Sequence, residues 1–480
     1  MKKHSFIKEC LPYLLFFGFG LAFLAKPVLD MDEIWNYGFA SYISEGLRPY
    51  ADFNMVQTPL SAYMAAVVLS VFGNNLFVFR VLGAVLFSVT FGLAYSIGSK
   101  ILQNTSVAFA LSSFLGAFSS PIWMYNYNHL ILLCILIIAF CELQLELKRE
   151  SNAWILNLII GLLYGLTPLI KQSTGAILLL LNVVFCGYRI VMRLEDRRMF
   201  AFRLVVSVLP SVIFVLCMLI TGLFKDFCDY AVLGVKTFIH RQTWFDYILT
   251  SPTDFVVGII PVCVTLLSIY ILQKGKSRIS RSFHFYSLVL SWTGAVVAYP
   301  ICDFVHACVA VVPFFIPLIC CFGQLRVSNR EGAACCAVAA LVLCCSTVLI
   351  LKDLPQYKQC QLSHFERLPI SPEIEEQIQI VDAYILENGN NGVDVIIADE
   401  DAAAYMIPID KYYKNFNLLL VGNVGSNTVG ELLWRECAIY LVAKDEGSMG
   451  KQAHVELVVY IKENYTKIGE VLGFDVYTPR

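Results

Sequence analysis

Charge is what this chain has least of. Only 15% of its 480 residues are Asp, Glu, Lys or Arg, against roughly 25% in an ordinary soluble protein. Hydrophobic residues make up 58% and the mean hydropathy is +0.67. So little charge cannot cover a soluble globule of this size, and a polytopic membrane protein with some soluble mass is expected. The net charge of −2, from 35 basic and 37 acidic residues, lacks the basic excess of a nucleic-acid partner. A disulfide framework and zinc-site spacing are missing as well. There are 17 cysteines, but pairs such as Cys320–Cys321, Cys335–Cys336 and Cys344–Cys345 lie inside apolar runs, where the thiol acts as a small hydrophobe. No internal repeat stands out, which counts against a transporter built from duplicated halves.

What fills the chain instead is a series of apolar runs. A span needs about 20 apolar residues, and runs of that kind fall near 11–27, 76–98, 105–121, 129–146, 153–170, 173–191, 203–223, 254–273, 285–301, 307–324 and 333–351. That predicts about eleven transmembrane helices. The basic start MKKHSFIKEC precedes the first run with no small-residue cleavage site, so an uncleaved span is expected there. SAYMAAVVLSVFG at 61–73 is too short to cross and reads as a re-entrant or interfacial helix. Loops on the N-terminal side of the spans hold 17 Lys and Arg, and the opposite loops and span ends hold 7. The positive-inside rule then places the N-terminus in the cytoplasm. An odd number of spans puts 352–480 outside, so the expected organisation is a membrane domain over 1–351 and an extracytoplasmic domain over 352–480.

The tail changes character. SPEIEEQIQIVDAYILENG at 371–389 offers a Ser cap, a Pro at the first helical position and acidic residues in the first turn, all helix-starting signals. VDVIIAD, NLLLV, AIYLVAK and FDVY are apolar runs of strand length. They alternate with helical segments, which predicts a small α/β domain with a mainly parallel sheet. GNVGSNTVG at 422–430 lacks phosphate-loop spacing and reads as a tight turn.

Polar residues gather on the predicted outer side. Asp30, Asp32, Glu33, Glu45 and Asp52 follow the first span closely. Asp30, Glu45 and Asp52 read as solvated loop carboxylates, whereas Asp32-Glu33 runs into Ile-Trp-Asn-Tyr, which packs the pair against the membrane. Tyr125 to His129, Arg80, Lys171, Asp303 and His306 also fall on that side. Arg80 at a span end is open to a snorkelling role, and His306 to that of an interfacial histidine. A cation as deep as Lys171 is by default a functional candidate. Carboxylates and cations at one bilayer face suit a substrate with an anionic group at headgroup depth and hydroxyls nearby. A lipid phosphate-linked sugar is such a molecule, its phosphate held by Arg or Lys and its acceptor deprotonated by an Asp.

Residues 31–85, MDEIWNYGFASYISEGLRPYADFNMVQTPLSAYMAAVVLSVFGNNLFVFRVLGAV, resemble the GT-C superfamily of polyprenyl-phosphate-sugar-dependent glycosyltransferases. The similarity is to the branch with protein O-mannosyltransferases and lipid A aminoarabinose transferases. That family has an Asp-Glu in its first extracytoplasmic loop, then a small-residue helix, G-x-x-P-Y-x-D, a Pro-led re-entrant helix and an Arg entering the second span. Here these positions are Asp32-Glu33, Gly46 to Asp52 with Tyr50, Pro59 and Arg80. KQSTG at 171–175 and the Asp-x-x-His of YPICDFVH are weaker echoes. The resemblance implies Asp32 as general base, with Glu33 orienting it or helping to hold a metal. It implies Arg80, Lys171, Tyr50, Asp52, Asp303 and His306 as substrate-binding candidates, the two cations neutralising the lipid phosphate. It needs no certain cofactor and leaves room for a divalent metal. The acceptor stays open between glycan, lipid and protein. The alternatives are a transporter of envelope lipids or glycans and a non-catalytic envelope-binding membrane protein.

Overall fold

The computed structural model describes residues 2–28, 31–147, 153–192, 197–234, 242–274, 279–323, 328–399, 402–416, 419, 424–425, 429–433, 438–444 and 455–480. Asp30, most of NLLLV and most of 422–428 lie outside them. The chain is mainly helical. In order come α1 (Lys2–Gly20), α2 (Met31–Ser44), α3 (Leu60–Phe72), α4 (Leu76–Leu102), α5 (Thr105–Ser119), α6 (Tyr127–Leu147), α7 (Ala153–Ile170), α8 (Gln172–Val191) and α9 (Arg197–Ile220). Then follow α10 (Phe224–Phe227), α11 (Trp244–Ile248), α12 (Pro252–Lys274), α13 (Arg281–Ala295), α14 (Phe304–Val311), α15 (Phe315–Phe322) and α16 (Asn329–Leu351). The tail adds α17 (Pro372–Asn390), α18 (Ala402–Met406), α19 (Val429–Leu432) and α20 (Val455–Asn464). Among the described residues, 9 helical segments are long and apolar enough to cross a membrane, as expected of a multi-pass membrane protein.

Among the described residues, two of the eleven expected spans do not appear as helices of that length. The first run lies in α1 and the 3-10 turn Leu21–Ala25 that continues it. The run at 285–301 is α13, which ends at Ala295 and gives way to a 3-10 turn at Val296–Ala298. Leu60–Phe72 is the short apolar helix expected from its length. Local chemistry sets several ends. Asn104 caps α5 by accepting from the Val107 N–H, and Ser328 and Glu331 form a capping box at α16, each satisfying amides that a helix start leaves bare. At α17, Ser371 sits in the cap position, but its hydroxyl points to Glu373 instead of the helix amides.

The chain separates into two compact units. One holds Met1–Phe23, Val81–Leu216 and His240–Lys352; the other holds Leu24–Arg80, Cys217–Ile239 and Asp353–Arg480. In the first unit, Phe16, Phe19 and Phe23 pack on Phe87, which meets Trp123 edge-on with centroids 5.0 Å apart. Trp123 donates its indole N–H to the Gly83 carbonyl at 3.0 Å. α7 lies on α9 where Gly161 and Gly165 face the carbonyls of Arg203 and Ser207, a small-xxx-small contact of the kind that lets membrane helices approach closely. Arg203 is buried there, paired with Glu142 at 2.6 Å, and its guanidinium lies over the rings of Tyr164 and Phe185.

The second unit joins the first-loop region to the tail. Val28 N–H donates to Pro369 O at 2.8 Å and Leu76 N–H to His364 O at 2.7 Å. Its larger sheet contains β1 (Val395–Ile397), β2 (Ile439–Ala443), β3 (Thr466–Val471) and β4 (Phe474–Thr478), in the order β1-β2-β4-β3. β1 and β2 run parallel, but β2–β4 and β3–β4 are antiparallel. The sheet is therefore mixed and not mainly parallel. The reason is the last thirteen or so residues, where Leu472 and Gly473 take positive φ and turn the chain back on itself as a hairpin. Every described cysteine is a free thiol, in keeping with the apolar runs they occupy.

Candidate active site

The first-loop acids begin α2. Asp32 and Glu33 occupy its first turn, where the helix dipole favours negative charge. Successive residues of a helix point about 100° apart, and the two acids differ accordingly. Glu33 is buried and Asp32 half-buried. Arg80, near the start of α4, turns a buried guanidinium on Glu33. Its Nε donates to Oε1 at 2.9 Å and its Nη2 to Oε2 at 2.6 Å. Nη2 also donates to the Pro27 carbonyl at 3.0 Å, and Nη1 to that of Lys26. Such a planar fork on a carboxylate is a geometry that Lys cannot copy. It ties the start of α2 to the segment just before it. Arg80 thus makes its contacts with Glu33 and the two carbonyls inside its own unit. Both Glu33 oxygens face the guanidinium.

Gly46-x-x-Pro-Tyr-x-Asp forms a tight loop after α2. Gly46 and Tyr50 both take positive φ, +95° and +69°. Tyr50 N–H donates to Phe53 O at 2.9 Å, and the buried phenol donates to Gln57 O at 2.8 Å. Asp52 accepts from the Arg48 backbone at 2.8 Å and from its guanidinium at 3.1 and 3.2 Å. The Arg48 hydrogen bonds hold the Asp52 carboxyl below the usual carboxylate range. Tyr50 and Asp52 therefore shape this loop from within, and Pro59 stands at the cap position of α3.

The second cluster lies in the other unit. Lys171 separates α7 from α8 and is buried, 6% exposed. Its ammonium donates to Asn128 Oδ1 at 2.9 Å and Val297 O at 2.7 Å, with the Tyr127 ring 5.4 Å away. An ammonium has three N–H donors, and two of them meet acceptors among the described residues. Asp303 caps α14, accepting from the His306 N–H, and pairs with His306 Nδ1 at 2.8 Å. Burial would raise the Asp303 carboxyl, but the His306 hydrogen bond and charge leave it below its ordinary value. Burial lowers the Lys171 ammonium to about 7, against the Asp303 charge, which acts to raise it. Asn128, in the Tyr125–His129 stretch, is the partner that the sequence could suggest only by its polarity. The same unit contains an apolar cavity of about 310 Å³ lined by Trp244, Ile248, Phe255, Gly258, Val262 and Trp292.

No protein-family model matches the chain, and no characterised protein sequence matches it either. Solved structures do. ArnT from Cupriavidus metallidurans in the apo state superposes with a TM-score of 0.60 at 12% identity, over 99% of this chain and 98% of that one. The chain has a GT-C fold. The oligosaccharyltransferase of Archaeoglobus fulgidus, in complex with Zn and sulfate, agrees with a TM-score of 0.53 at 12% identity, over 97% of this chain and 73% of that one. Within this GT-C fold, Asp32-Glu33, Gly46 to Asp52, Pro59 and Arg80 all fall in one compact unit. Sequence reading missed a further polar group in that unit: Glu45, His364 and Asp410, whose ligand atoms lie within 4.8 Å of one another.

Proposed function

We propose that the protein is a glycosyltransferase that moves a hexosyl or pentosyl group from a polyprenyl-phosphate donor to an acceptor hydroxyl on the extracytoplasmic membrane face. The observation that carries this reading is the locked start of α2 within a GT-C fold. Arg80 immobilises Glu33 and so presents the neighbouring Asp32 on a fixed turn. Asp32 acts as general base. The acceptor oxygen attacks the sugar carbon, the bond to the phosphate oxygen breaks, and the phosphate leaves with the electron pair while Asp32 takes the acceptor proton. A single displacement of this kind inverts the sugar carbon without a covalent sugar–enzyme intermediate. The third N–H of Lys171 binds the donor phosphate, with Asp303 and His306 setting the charge beside it. The cavity at Trp244 and Trp292, uncharged and apolar, suits an isoprenoid chain. The acceptor is a glycan, lipid or protein. The N-terminus is cytoplasmic and 352–480 extracytoplasmic, on the argument of the basic-residue bias.

Turnover and donor binding measured side by side test both roles. Asp32→Asn keeps size but cannot accept a proton, so transfer from a radiolabelled polyprenyl-phosphate sugar should fall roughly 10²–10⁴-fold while donor binding survives. Lys171→Gln removes a charge-assisted contact of about 1.5–3 kcal/mol and should weaken donor binding roughly 10- to 150-fold. Wild-type transfer by Asp32→Asn would remove the catalytic assignment, and wild-type donor affinity in Lys171→Gln would return Lys171 to packing.

A further inference from the structure

The cluster after α2 presents a tautomer problem. His364 Nδ1 lies 2.8 Å from the backbone carbonyl of Asn74. A carbonyl only accepts, so Nδ1 carries the hydrogen. The Tyr37 hydroxyl, 3.1 Å from the same nitrogen, donates onward to Asn74 Oδ1 at 3.2 Å and leaves its lone pairs towards the ring, consistent with that assignment. In the neutral ring Nε2 then presents a lone pair, and it faces Asp410 Oδ1 at 2.8 Å. Two acceptors at that distance repel unless a proton or a cation lies between them. Glu45 adds a second carboxylate, held in place by Asn74 Nδ2 at 2.8 Å and the Ser41 hydroxyl at 3.3 Å. A carboxylate oxygen of Asp410, a ring nitrogen of His364 and a carboxylate oxygen of Glu45 all lie within 4.8 Å of one another.

We infer that Glu45, His364 and Asp410 bind a divalent transition-metal ion, Zn²⁺ or Mn²⁺, outside the catalytic loop. A proton on Nε2 would leave this group one negative charge in excess, whereas a divalent ion brings two carboxylates and a neutral imidazole to zero. The geometry fits. Ligands at about 2.0–2.2 Å from one ion stand roughly 3.0–3.4 Å apart as neighbours in an octahedral or tetrahedral shell, between the 2.8 Å that separates His364 Nε2 from Asp410 Oδ1 and the 4.8 Å within which all three ligand atoms lie. The Nδ1–H to a backbone carbonyl is the outer contact that a metal-bound histidine ordinarily makes. One imidazole with two carboxylates suits Zn²⁺ or Mn²⁺ better than Ca²⁺. Glu45 and Asp410 are exposed and His364 is half-buried, so an ion and its remaining waters can enter. The ion would pin the end of α2 to two segments of the tail. It stands apart from Glu33, whose oxygens are held by Arg80.

The test uses the full-length protein in detergent, stripped with chelator and titrated with Zn²⁺ or Mn²⁺ alone. Wild type should take up one ion per chain and melt at a higher temperature when loaded. Glu45→Gln, Asp410→Asn and His364→Ala should each lower metal affinity at least about 10- to 100-fold and lose the metal-induced rise in melting temperature. The first two keep side-chain size and guard against simple misfolding. Asp32→Asn should bind the ion as wild type does. Absence of uptake by wild type, uptake unchanged in the three variants, or uptake abolished by Asp32→Asn would each overturn the site; the last would move the ion to the catalytic loop.

Discussion

Replacing Arg80 by Met probes how the catalytic loop is held. Arg80 and Glu33 have side chains 2% and 9% exposed and meet at 2.6 Å. Removal of the guanidinium leaves Glu33 buried without its counter-charge, and the carbonyls of Lys26 and Pro27 without the donors that reach them. Breaking a buried pair from one side costs about 3–5 kcal/mol, because the stranded ion keeps its desolvation penalty. Two carbonyls that lose charged donors add to the same loss, so the upper half of that range is expected. Arg80→Lys should recover only part, since a single ammonium cannot span both Glu33 oxygens and both carbonyls. The informative comparison is Arg80→Met with Glu33→Gln. Neutralising the stranded acid should restore about 1–3 kcal/mol relative to Arg80→Met alone, a coupling of the size seen between contacting residues. Chemical unfolding of purified protein, followed by tryptophan fluorescence, reads all four. If Arg80→Met unfolds at the wild-type denaturant concentration, or the double variant is no more stable than the single, the pair does not hold the loop and the argument for a preset Asp32 fails.

Two other outcomes are open to measurement. Asp382 on α17 is buried, its Oδ1 meets no hydrogen-bond partner among the described residues, and desolvation pushes its carboxyl from 3.8 up to about 8. A raised acid stabilises the fold while protonated, so its contribution is complete below about pH 4 and is lost as pH rises to about 8, at up to about 1.4 kcal/mol per pH unit; Asp382→Asn should flatten that part of a melting-temperature profile, and superimposable profiles would refute the assignment. For topology, a reporter joined after Arg480 should be active only outside the cytoplasm, and cytoplasmic activity would reverse the orientation.

The parts of this molecule that could be read from sequence are those whose signal is local. Asp32-Glu33 and the Gly46–Asp52 loop are contiguous, and spans such as α4 and α12 announce themselves by length. Hydropathy sees apolarity and not helix ends: α13 is apolar enough but stops at Ala295, where the 3-10 turn that supplies the Val297 carbonyl to Lys171 begins. The mixed sheet was hidden because direction is not written in a strand's composition; the turn at Leu472–Gly473 decides it. Lys171 could be flagged for its depth, but its acceptors, a side-chain amide and a main-chain oxygen, could not. Glu45, His364 and Asp410 come from three distant segments with no shared motif, so only folding brings them together.

The glycine contact between α7 and α9 has a consequence for Lys171. A methyl group at Gly161 would come within 2.9 Å of the Arg203 carbonyl, and one at Gly165 closer still to that of Ser207. A screw motion of α7 by one residue, about 1.5 Å and 100°, would turn Leu162 and Leu166 onto those carbonyls. The two helices therefore behave like a ratchet with only one permitted notch. The ammonium six residues past Gly165 inherits that setting: its height along the helix axis is gauged by two hydrogen atoms, and a ligand would meet it at a level that thermal motion cannot adjust by even a single residue.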